Sequence, residues 1–115
     1  MKPGHELDCL VAEKVFGWRR VKYGFGWQPP DDPSTQGVPP EYSTNIVDAW
    51  LVVEKIGLFR SRQRDLSDGY SGYVQLWQNS LDEWTIGDWE DQLFILGKGE
   101  TAPHAICLAA LRVVR

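Results

Sequence analysis

The chain predicts an α+β fold in which a mostly antiparallel sheet of three to five strands packs with three helices. Two patterns carry the prediction. Three segments, one near each end and one in the middle, repeat apolar residues at three- and four-residue spacing, as one-sided helices do. The region between the second and third is a series of short apolar runs separated by turn residues, which favours hairpin-linked strands over a parallel, Rossmann-type sheet. Composition agrees: 115 residues, 43% hydrophobic and 24% charged, are those of one globular domain spanning residues 1–115.

The first helix is expected over about Glu6 to Phe16, with Leu7, Leu10, Val11 and Val15 on one stripe and Asp8, Glu13 and Lys14 on the solvent side. Gly17 stands where helices commonly stop in a left-handed conformation. Arg19 to Trp27 reads as a strand or hairpin arm that its glycines weaken. Gln28 to Glu41, with five of the seven prolines, reads as a loop longer than most structureless connections.

A second helix follows Ser43-Thr44-Asn45, which supplies an N-cap, with Asp48 suited to the positive helix end. Ile46, Ala49, Trp50, Val53 and Ile56 are expected as its buried stripe, closed by Gly57. Strands are expected over Leu58–Gln63, Tyr73–Gln78 and Glu83–Trp89, with a short one over Gln92–Leu96 ending at Gly97-Lys98-Gly99. The last helix starts at Thr101-Ala102-Pro103, an N-cap followed by a first-turn proline. Ala105, Ile106, Ala109, Ala110 and Val113 form its apolar face, and Arg112 and Arg115 suit its negative end.

Three of these segments resemble the phage α-β-α sandwich domain family. They are Gly4-His5-Glu6-Leu7-Asp8 through Trp18, Tyr42-Ser43-Thr44-Asn45-Ile46 through Lys55, and Thr101-Ala102-Pro103-His104 through Leu111. The resemblance implies an α-β-α sandwich from a phage or prophage in a bacterial host. The family is mostly uncharacterised. It is similar to small phage proteins that counter the Thoeris defence by sequestering a cyclic ADP-ribose signal. Related sequences often carry arginine where this chain has Leu108, so a phosphate contact from that position is missing here.

The net charge of −4 disfavours nucleic acid, whose phosphates require a dense basic face. No run approaches the roughly 20 apolar residues of a membrane helix, and the N-terminal acidic residues do not suit a signal peptide. The expectation is a protein of the host cytoplasm. Cys9 and Cys107 are expected as reduced core residues. His5 and His104 lack companions at metal-ligand spacing, and no nucleophile elbow or phosphate-binding loop occurs. The acidic group Asp88, Glu90 and Asp91 reads as a solvated strand end. The sequence therefore points to a non-enzymatic protein without metal or cofactor.

The candidate ligand residues are Ser43, Thr44 and Asn45 at one helix start and Thr101 and His104 at the other, where free amides favour anions. Arg60, Arg62 and Arg64 alternate along a strand and would share one face. Trp77 and Trp84 lie on successive strands as prospective cross-strand neighbours. Trp27 and Trp89 are the tryptophans expected at the surface, marking a homo-oligomer interface or a stacking platform. The reading is a binding protein that holds a nucleotide-like small molecule; the alternative is an interaction or assembly module.

Overall fold

A computed structural model describes residues 1–21, 26–30, 37–58, 61–63, 71–73, 75–78, 83–87 and 95–114, with backbone alone for 61–63 and 71–73. Its helices are α1 (His5–Phe16), α2 (Ile46–Ile56) and α3 (Ala102–Val113). The strands are β1 (Arg19–Arg20), β2 (Trp27–Gln28), β3 (Ser61–Gln63), β4 (Ser71–Tyr73), β5 (Gln75–Gln78), β6 (Trp84–Gly87) and β7 (Ile95–Gly99). Among the described residues all pairings are antiparallel: β1 with β2, β3 with β4, and a three-stranded sheet ordered β5-β6-β7. This is the expected α+β class. Among the described residues, no helix is long and apolar enough to cross a membrane.

The helix boundaries follow local chemistry. Gly17 and Gly57 close α1 and α2 at φ of 77° and 63°, a region that a Cβ disfavours. The Asn45 side chain caps α2 by accepting from the amides of Val47 and Asp48. Thr101 caps α3 by accepting from the His104 amide.

α3 is the middle of the molecule. Ala105 and Ala109 lie against β7, while Ile106, Cys107 and Ala110, on the other side of the same helix, meet the layer of α1 and α2. All five are fully buried. The seat on the sheet depends on two glycines. A Cβ on Gly97 would stand 2.6 Å from the Ala109 nitrogen, and one on Gly99 would stand 2.7 Å from the Ala105 nitrogen. Gly97-Lys98-Gly99 thus belongs to the strand as the last three residues of β7, and its alternate glycines let the helix backbone touch the strand.

α1 and α2 correct two expected faces. Asp8 is only 4% exposed, because its carboxylate accepts from the Ser43 amide at 2.7 Å and the Ser43 hydroxyl at 2.6 Å. This ties α1 to the turn before α2. On α2 the buried residues are Ala49, Val52 and Val53, whereas Ile46 is 51% and Trp50 49% exposed. The helix is apolar nearly all round, so its own pattern does not settle which side faces inward.

Candidate functional site

The residues singled out at the helix starts serve the fold. Ser43 is fully buried and, besides binding Asp8, accepts from the Gly4 amide at 2.8 Å. Asn45 and Thr101 spend their side-chain oxygens on capping. Thr44 is exposed, and its amide bonds to the Glu41 carbonyl. His104 is buried; its Nδ1 accepts from the Glu100 amide at 3.1 Å. Nε2 therefore carries the proton and donates to the Met1 carbonyl at 2.6 Å. The amide-rich helix ends are filled by the chain's own N-terminal segment and caps.

The tryptophan pair separates as well. Trp77 stands opposite Thr85, and Trp84 opposite Gln78, so the two rings project from opposite faces of the sheet. Trp27, expected at the surface, is 8% exposed. Its backbone is bonded to Gly37 in both directions, and the Arg20 guanidinium lies 5.4 Å from its ring centroid. Arg60, Arg64, Trp89 and the acidic group Asp88, Glu90 and Asp91 lie outside the described residues, and Arg62 is described by its backbone alone.

A different place has the shape of a site. At the C-terminal end of α1, beside α2, a groove of about 620 Å³ is lined by Phe16, Trp18, Pro29, Pro30, Tyr42 and Leu51, with Glu54 and Lys55 at its edge. A smaller recess of about 240 Å³ shares Pro29 and Pro30 and adds Arg19. The larger volume lies within the range of small-molecule sites, and the mixture of flat apolar walls with a few charges is typical of them.

The groove is assembled from the helix junctions. Gly17 ends α1 and releases Trp18 and Arg19 toward β2, which carries Gln28 and leads into Pro29 and Pro30. The Asp8–Ser43 tie fixes Tyr42, whose ring stacks on Phe16 with centroids 4.9 Å apart and planes within 10°. Burial pushes the Tyr42 phenol up to about 12, with the nearby Asp48, Cys107 and Asp8 adding to the effect. The group is neutral at physiological pH, and among the described residues its hydroxyl has no hydrogen-bond partner. Sequence reading missed this site because its three aromatics come from two distant segments, neither of which forms a motif.

Nucleophilic chemistry has little support among the described residues. Cys9 lies 3.4 Å from His5 Nε2, yet burial and the adjacent Asp8 raise its thiol. Burial pushes Cys107 up further still. Neither is poised as a thiolate. No group of three or more metal-ligating side chains occurs among the described residues.

The profile of the phage ABA sandwich domain matches residues 9–111. A crystal structure of a phage protein from Bacillus cereus ATCC 14579 is similar at 28% identity and a TM-score of 0.59, over 99% of this chain and 93% of that one. No curated protein matches.

Proposed function

Because this chain belongs to the phage ABA sandwich domain family, we propose that it is a non-enzymatic phage binding protein that sequesters a nucleotide-like small molecule. The groove of Phe16, Trp18, Tyr42, Pro29 and Pro30 carries the reading. Flat aromatic and proline walls accept a base by stacking. Lys55 at the rim and Arg19 in the adjoining recess offer positive charge to its phosphates. The Tyr42 hydroxyl offers a further polar contact, and the same arrangement offers no activated nucleophile. An immune signal of cyclic nucleotide type fits this chemistry, and holding it unchanged would silence the host defence that depends on it.

The test is a melting curve of the whole chain with cyclic ADP-ribose isomers and cyclic dinucleotides. A ligand at a hundred times its dissociation constant stabilises by about 2.7 kcal/mol, worth roughly 10 °C in a domain of this size. Trp18→Ala is expected to abolish that shift, and mass spectrometry should recover the ligand unaltered. If no compound moves the melting point or quenches tryptophan fluorescence, the reading fails. A second reading, an interaction or assembly module, is favoured by one feature: the apolar outer face of α2.

A further inference from the structure

Tyr42 is 2% exposed, yet it lines the groove, so a group that meets it must enter the groove instead of lying across the rim. Its ring packs flat on Phe16, a contact that involves the face of the phenol and leaves the hydroxyl out. Among the described residues that hydroxyl has no hydrogen-bond partner. Buried polar groups are nearly always paired, because a hydroxyl that gives up water without a replacement destabilises the fold. An unpaired one beside a groove asks for a partner in whatever fills the groove.

Charge gives the groove a direction. The carboxylates of Asp48 and Asp8 are near enough to the phenol to hold its proton more tightly, and Glu54 stands at the groove's edge. Negative surroundings repel a phosphate and attract an N–H group. The cations lie apart from the phenol: Arg19 is in the recess that shares Pro29 and Pro30, and Lys55 is at the rim.

We propose that Tyr42 is the specificity-determining residue of the groove: its hydroxyl accepts a hydrogen bond from the exocyclic amine of a nucleobase, while the phosphate of the same ligand lies toward Arg19. This rests on the reading of the groove as a nucleotide site, and adds which end of the ligand enters and which bases are preferred. Adenine, guanine and cytosine carry such an amine; uracil and hypoxanthine do not. Phenylalanine at this position would keep the stack on Phe16 and lose only the acceptor.

The probes are adenosine monophosphate and purine riboside monophosphate, which differ only in that amine. Each is titrated into the full chain at neutral pH with tryptophan fluorescence as the readout. The unaltered protein is expected to bind the first about tenfold more tightly, the worth of one buried hydrogen bond. Tyr42→Phe should bind both with the weaker affinity. Without any ligand, Tyr42→Phe should melt no lower than the unaltered chain, because no internal bond is lost. A hydroxyl that only supported the fold would instead cost roughly 5 °C, and a drop of that size overturns the proposal before any ligand is added. Equal binding of the two probes, or discrimination that survives in Tyr42→Phe, overturns it while leaving the nucleotide reading in place. Failure of both probes to bind overturns it as well; cyclic ADP-ribose isomers or cyclic dinucleotides that still bind would then keep the broader reading standing.

Discussion

Replacing Gly97 by alanine should unseat α3, and the distances say by how much. The new Cβ would lie 2.6 Å from the Ala109 nitrogen, 2.8 Å from the Ala105 oxygen and 3.1 Å from the Ala109 Cα. All three are backbone atoms, so no side-chain rotation relieves them. Ordinary contact begins near 3.4 Å, which requires the helix to back away by roughly 0.8 Å. Retreat is blocked on the far side, where Ile106, Cys107 and Ala110 are fully buried in the helical layer. Overpacking of this kind costs about 1–3 kcal/mol, and the blocked retreat places Gly97→Ala near the top of that range. In a domain of this length that lowers the melting point by roughly 10 °C. Gly37→Ala is the control, because a Cβ there meets nothing within 4 Å; it should change stability by less than about 0.5 kcal/mol. Thermal melts followed by circular dichroism read both. If Gly97→Ala melts with Gly37→Ala, α3 does not rest on the backbone of β7, and the layer order derived from that contact is refuted.

Two further outcomes follow from the tie beneath the groove. Asp8→Ala removes the acceptor of the Ser43 amide and hydroxyl, leaving a buried donor unpaired; a loss of about 3 kcal/mol is expected, read as a lower urea midpoint with an unchanged slope. Tyr42 governs part of the alkaline limit. Its phenol titrates near 10 when unfolded and near 12 when folded, so the stability it contributes is complete below pH 10 and is lost as pH rises toward 12. The loss amounts to about 2–3 kcal/mol, and Tyr42→Phe should flatten that part of the stability curve while leaving the earlier decline from the Cys107 thiol.

The elements were legible in the sequence because their ends are local. Asn45, Thr101, Gly17 and Gly57 act within a few residues of themselves, and each helix stops or starts where its cap dictates. The faces were less legible. α2 carries apolar residues at 46, 47, 49, 50, 51, 52, 53 and 56, so no single stripe stands out and tertiary packing decides that Val52 is buried and Trp50 is not. Gly97-Lys98-Gly99 reads as the end of the last strand because glycine usually punctuates. Its alternation has a second meaning, close approach of another backbone, that appears only when α3 is in place.

The groove was illegible for a related reason. Phe16, Trp18 and Tyr42 sit at the margins of elements, where an aromatic residue has no periodic signature, and the contact that gathers them spans 35 residues from Asp8 to Ser43. A charged residue on a helix is ordinarily a solvated one, so Asp8 gives no local sign that it is the anchor. The helix-start residues gave the opposite impression. Ser43, Asn45 and Thr101 have the chemistry of an anion site, but their own chain satisfies them first. Capping and anion binding draw on the same amides, and only the fold determines which of the two a helix start performs. In this protein the caps hold the helices in register, and that register leaves the aromatic margins at the end of α1 to line the groove.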